Sequence, residues 1–98
     1  MKKINLGQKD LIHFVGVGGI GMSGLAQIMK NMGFRIQGSD QYKNKNTISC
    51  LKLGIKIFLG HSSSNIKKAT ILVKSTAIKN SNIEIRYAKK NKIPIYSR

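Results

Sequence analysis

The sequence contains one cysteine, one proline, no tryptophan and three acidic residues in 98. A single cysteine excludes an internal disulfide, so stability must come from a packed core. No apolar run approaches the ~20 residues that a membrane-spanning helix needs. Met1-Lys2-Lys3 is basic, but no long apolar stretch follows it, and the segment after Asp10 is broken by His13 and by glycines. We therefore expect no signal peptide and a cytoplasmic location. The length suits one domain at the small end of the usual range and excludes a complete multi-domain enzyme.

With so few acids, 18 Lys+Arg leave a net charge of +15. Such a charge invites nucleic acid. The lysines, however, are scattered from Lys30 through Lys56 and Lys67 to Lys92. Nucleic-acid modules show a clustered basic face with interleaved aromatics, and the aromatics here are few and isolated. Lysine, isoleucine and asparagine together supply more than a third of the chain. Their codons are rich in A and T, so genome composition inflates all three at once. The expectation is a solvated basic surface that attracts small anions, with neither nucleic acid nor membrane as partner.

Apolar patterning alternates between two periods. Leu11 to Gly16 is a short apolar run ending in glycine, which predicts a buried strand. Leu25, Ile28, Met29 and Met32 then recur at helical spacing, and Gly33 closes that helix. Phe34 to Gly38 predicts a second strand, ending at Ser39-Asp40. Thr47 is suited to cap a short helix carrying Ile48, Leu51 and Leu53, stopped by Gly54. Strands are expected at 55–59, 69–73 and 93–96, with a helix over 82–91 turning Ile83, Tyr87 and Ala88 inward. Pro94 lacks an amide donor and suits the start or the unpaired side of its strand. Strands alternating with helices predict an α/β fold: a Rossmann-like open parallel sheet of about five strands with helices on both faces.

Gly16-x-Gly18-x-x-Gly21 lies between a predicted strand and a predicted helix, the context in which this spacing carries meaning. Gly16 permits the sharp turn, Gly18 lets backbone approach a phosphate, and Gly21 lets the helix pack close to the sheet. Free amides at the helix start then meet the anion. Asp40 lies 19 residues after Gly21, at a strand end, where it either meets a ribose hydroxyl or forms a turn. His61 follows the third strand and is a ligand contact or a plain loop residue. His13, inside the first strand, reads as a satisfied core histidine. Ser75 to Ile78 follows the fourth strand, at the sheet edge where ligands gather. Cys50 reads as a partly buried apolar residue. Neither paired carboxylates nor a nucleophile–base arrangement is visible, which points to a binding site without catalytic machinery.

The run Ile12-His13-Phe14-Val15-Gly16-Val17-Gly18-Gly19-Ile20-Gly21-Met22-Ser23-Gly24-Leu25-Ala26 resembles the N-terminal domain of the Mur ligase family, in particular its alanine-adding members. Gly38-Ser39-Asp40, Gly60-His61, Ser75-Thr76-Ala77-Ile78 and Ile93-Pro94 extend the resemblance in order to the end of the chain. Thr76 stands where a second serine is common in the family, which keeps a hydroxyl there. The resemblance implies that residues 11–98 bind the UDP part of UDP-N-acetylmuramate in peptidoglycan synthesis. Gly16, Gly18, Gly19, Ile20, Gly21 and Met22 would hold the diphosphate. Ser39, Asp40, His61, Ser75, Thr76 and Ala77 would surround uridine and ribose.

It further implies one part of a three-domain ligase, with residues 1–10 as a flexible lead-in and the end at Arg98 falling inside the longer chain. ATP and magnesium would serve the full enzyme, which activates the muramoyl carboxylate for attack by L-alanine. This chain alone would hold no cofactor or metal and catalyse nothing. The alternatives from the residues are a nicotinamide-binding oxidoreductase domain and a peptide-adding ligase of the same pathway.

Overall fold

The computed structural model describes Gly7 and residues 9–98. Most of the expected lead-in over residues 1–10 lies outside the described residues. Five strands, β1 (Leu11–Val15), β2 (Arg35–Asp40), β3 (Lys56–Leu59), β4 (Ile71–Lys74) and β5 (Ile95–Ser97), alternate with helices α1 (Met22–Asn31), α2 (Lys45–Lys52) and α3 (Ile83–Lys90). A 3-10 turn spans Ser63–Ile66. The strands form one sheet in the order β3-β2-β1-β4-β5, and every pairing is parallel. This is the Rossmann-like arrangement expected from the pattern.

Strand periodicity divides β1 between two cores. Ile12 and Phe14 face α1 and α2, where they pack with Val17, Met22, Ala26, Ile36, Cys50 and Ile55. Val15 faces the other way and packs with Leu72, Ile66, Ile85 and Ala88. Helices thus cover both faces of the sheet.

Several local expectations are corrected. Ile28 of α1 and Met32, which caps it, are exposed, and the buried face is Met22, Ser23 and Ala26. Small side chains let this helix lie close on the sheet. Thr47 does not cap α2: Asn44 does, its side chain accepting from the Thr47 amide, while the Thr47 hydroxyl accepts from the Asn44 amide. This reciprocal capping box starts the helix three residues earlier. Thr47 and Cys50 are buried there, and Ile48, Leu51 and Leu53 are exposed. In α3 the buried residues are Glu84, Ile85 and Ala88, with Ile83 outside. Pro94 precedes β5, on the sheet edge, where its carbonyl still accepts from the Leu72 amide.

Candidate functional site

Because β2 and β4 flank β1 on opposite sides, the chain leaves β1 at the point where the strand order reverses. Open parallel sheets bind ligands in the crevice beyond their carboxyl ends at that point. A cavity of about 430 Å³ opens there. It is lined by Gly16 after β1, Asp40 and Gln41 after β2, His61 after β3, and Ala77, Ile78, Lys79, Ser81 and Asn82 between β4 and α3. Four residues expected at the ligand, Gly16, Asp40, His61 and Ala77, meet on this wall. Ile78, from the loop expected at this sheet edge, lines it too, whereas Gln41, Lys79, Ser81 and Asn82 carry no signal in the sequence.

The glycine loop turns on two different requirements. Gly16 adopts φ +80°, and the space beside its Cα is filled by Ile78, whose Cδ1 would stand 3.0 Å from an added Cβ. Gly18 is buried and has no positive φ. Its amide donates to Asp40 Oδ2 at 2.8 Å, and its carbonyl accepts from Asn44 and Asn46. An added Cβ would lie 2.9 Å from each of Asp40 Oδ2, Asn44 Nδ2 and Thr47 Cγ2. Gly18 is therefore enclosed by protein on the α2 side. The Gly16, Val17, Gly19 and Met22 amides are likewise bonded within the protein. The Ile20 and Gly21 amides donate to no protein atom among the described residues, and Ile20 is fully exposed. The Arg98 guanidinium stands beside Gly21, with Nε 3.6 Å from where a Cβ would be. Two free amides, a helix N-terminus and a guanidinium thus come together at the glycine loop, a combination whose chemistry suits an anion. Met22 is buried in the core, and Ser75 and Thr76 lie in the turn after β4 without lining the cavity.

Behind the cavity lies a buried polar cluster built from one face of β1 and β2. His13 pairs in register with Gln37, and Val15 with Ser39. Glu84 of α3, fully buried, reaches down onto them. Its Oε1 accepts from His13 Nε2 at 2.6 Å and from the Ser39 hydroxyl at 2.7 Å. Its Oε2 accepts from the Ser62 amide at 3.1 Å and from Asn65 Nδ2 at 2.9 Å. The Gln37 side-chain amide donates to the Asn65 carbonyl at 2.8 Å and to His13 Nδ1 at 2.9 Å. His13 thereby carries its hydrogen on Nε2, aimed at the carboxylate. Burial by itself would raise the Glu84 carboxyl pKa. The His13 hydrogen bond, the charge of His13 in its protonated form, and the bonds from Ser39 and Asn65 outweigh it and bring the carboxyl from 4.5 down to about 2.

His13 is the satisfied core histidine that the sequence suggests, whereas Glu84, Gln37, Asn65 and Arg98 stand in no local motif. The available signal was periodicity: His13, Gln37 and Ser39 fall on one face of their strands, and Glu84 is one of only three acids.

Comparison with known proteins agrees with this architecture. The model of the Mur ligase family, catalytic domain, matches residues 11–98. The UDP-N-acetylmuramate–L-alanine ligase of Pelagibacter ubique (strain HTCC1062) is 57% identical over 96 residues, covering 98% of this chain and 21% of that protein. The ligase of the same name from Rickettsia canadensis (strain McKiel) is 49% identical over 98 residues, covering 100% of this chain and 20% of that protein. Among solved structures, the UDP-N-acetylmuramate-alanine ligase MurC of Thermotoga maritima superposes with a TM-score of 0.85 at 39% identity, covering 89% of this chain and 20% of that one. The UDP-N-acetylmuramate:L-alanyl-gamma-D-glutamyl-meso-diaminopimelate ligase of Neisseria meningitides gives 0.82 at 27% identity, covering 90% of this chain and 28% of that one. The chain spans about a fifth of the length of the curated relatives it matches. With the family match running from the first strand to the last residue, and the switch-point crevice in place, the chain belongs to the Mur ligase family.

Proposed function

We propose that this chain binds the UDP part of UDP-N-acetylmuramate, as the N-terminal domain of a three-domain, ATP-dependent ligase that adds L-alanine to that sugar nucleotide. The observation that carries the reading is the crevice at the carboxyl end of the sheet, with the free Ile20 and Gly21 amides and Arg98 at the glycine loop. A diphosphate suits that corner. The nucleoside would then occupy the cavity bounded by Asp40, His61 and Ala77. Ser39, Ser75 and Thr76 back or flank that wall. The alanine-adding relatives share more identity with this chain than the peptide-adding structure does, which favours alanine as the amino acid.

Among the described residues no three His, Cys, Asp or Glu side chains converge to hold a metal ion, and the sequence has no Gly-Lys-Thr phosphate loop. We assign activation of the muramoyl carboxylate, and its attack by L-alanine, to the remaining parts of the longer protein. No helix among the described residues is long and apolar enough to cross a membrane. We place the protein in the cytoplasm, beside its nucleotide substrates.

Titration of the chain with UDP, UDP-N-acetylmuramate and NAD, followed by amide chemical shifts, tests the reading. UDP and the sugar nucleotide are expected to bind more tightly than NAD, with shifts at Ile20, Gly21 and His61. A response to NAD with none to UDP would replace it by the nicotinamide reading. Arg98→Ala is expected to weaken UDP about tenfold or more, as loss of one charge-assisted contact implies, while leaving uridine binding unchanged. Equal losses for UDP and uridine would remove Arg98 from the diphosphate corner.

A further inference from the structure

We propose that Glu84 and Ser39 are positioning residues that hold His61 as the tautomer bearing hydrogen on Nδ1, so that a bare Nε2 acceptor faces the cavity and selects a ligand with a matching N–H donor. The proposal rests on the nucleotide reading above for the identity of that ligand. Within it, the donor is N3–H of uracil.

The tautomer follows from counting hydrogens. Ionised Glu84 has none to give, and its two oxygens accept from His13, Ser39, Ser62 and Asn65. The one hydroxyl hydrogen of Ser39 is spent on Glu84 Oε1 at 2.7 Å. Ser39 Oγ therefore meets His61 Nδ1, at 3.0 Å, only as an acceptor. Glu84 Oε2 stands 3.4 Å from the same nitrogen. Both neighbours of His61 Nδ1 call for a hydrogen there. A neutral imidazole with hydrogen on Nδ1 has none on Nε2.

Nε2 has no protein partner among the described residues and is not an orphaned buried atom, so it is open to solvent, on a ring that lines the cavity. In free histidine the opposite tautomer is the more stable, so the cluster works against the intrinsic preference. Ser39 itself is fully buried and acts on the cavity only through the ring.

Nitrogen-15 spectra of the imidazoles, recorded at a pH where His61 is neutral, test the positioning without any ligand. The expected result is a protonated Nδ1 and a bare Nε2 for His61. The reverse pattern overturns the proposal. In Glu84→Gln the two nitrogens are expected to move towards the free-histidine pattern. Should that variant fail to fold, Ser39→Ala supplies the same readout, because Nδ1 then keeps only the longer contact. An unchanged tautomer in a folded variant overturns the assigned roles.

Selectivity is read with UDP, CDP, whose N3 is a bare acceptor, and 3-methyl-UDP, whose N3 carries no hydrogen. UDP is expected to bind about tenfold or more tightly than either, the usual consequence of leaving a site acceptor without its donor. Equal affinities overturn the selectivity. No binding of any of the three, with the tautomer as expected, removes the nucleotide reading and upholds the positioning.

Discussion

Glu84→Gln is expected to cost the fold about 3–5 kcal/mol, the range seen when one member of a buried, charge-bearing hydrogen-bonded cluster is removed. The substitution is nearly isosteric, so the loss is chemical. A carboxylate offers only acceptors, and both oxygens here are surrounded by donors. A glutamine amide must turn its NH₂ towards either His13 and Ser39 or Ser62 and Asn65. On either side donor meets donor in a site without water access. A domain of this size has a total stability of about 5–15 kcal/mol, so the variant should melt some tens of degrees lower or fail to fold.

The same carboxylate sets an acid limit. Its pKa lies below the ordinary value, so its contribution is complete above about pH 4.5 and is lost as the pH falls towards about 2. The shift corresponds to about 3 kcal/mol over that window. Urea unfolding of parent and variant from pH 7 to pH 2 checks both points. The parent should lose stability steeply below pH 4.5, and a folded Glu84→Gln should show a flatter acid limb. Parallel curves would mean that Glu84 is not the group responsible.

Gly18→Val is expected to unfold the domain before it reveals anything about ligand. Sequence reading placed Gly18 against a phosphate. In the structure the missing side chain is the space between Asp40, Asn44 and Thr47, each 2.9 Å from an added Cβ. Thr47 sits inside the capping box of α2, and Asp40 holds the Gly18 amide, so none of the three can retreat cheaply. Overpacking costs about 1–3 kcal/mol, and loss of the charge-assisted Asp40 bond adds about 1.5–3 kcal/mol. Gly18→Ala should show a smaller part of the same loss. Denaturant melts of the three proteins decide the matter: a Gly18→Val chain with the parent's midpoint would return Gly18 to the ligand surface.

β1, β3 and β4 were legible because each is a short, mainly apolar run bounded by glycine or polar residues, while β2, Arg35 to Asp40, was placed by its position between a helix closed by Gly33 and a polar loop. The loop from Gly16 to Gly21 was legible because glycine spacing there has a steric cause. Helix faces were less so. Reading apolar residues as inward put Ile28, Ile48 and Ile83 in the core, yet all three are exposed. The helices rest on the sheet through Met22 and Ile85 together with the smaller Ser23, Ala26, Thr47, Cys50 and Ala88, whose size permits close approach. The polar cluster was hidden for a different reason. His13, Gln37 and Ser39 are assembled by parallel register, and Glu84 joins across 71 positions from His13. Local pattern carries no information about either.

The central strand of the sheet is also the first of these five strands in chain order. β1 meets β2 at a separation of 24 residues, but its other edge waits for β4, 59 residues away. At ribosomal rates of about 5–20 residues per second, that edge stays open for roughly 3–12 s. Open strand edges beside apolar side chains recruit other chains. On the α3 side of this unfinished sheet, however, the polar side chains of His13, Gln37 and Ser39 interrupt the apolar surface around Val15 before Glu84 emerges to pair with His13 and Ser39. The stripe that later packs behind the cavity first breaks up the apolar surface on one face of the growing polypeptide.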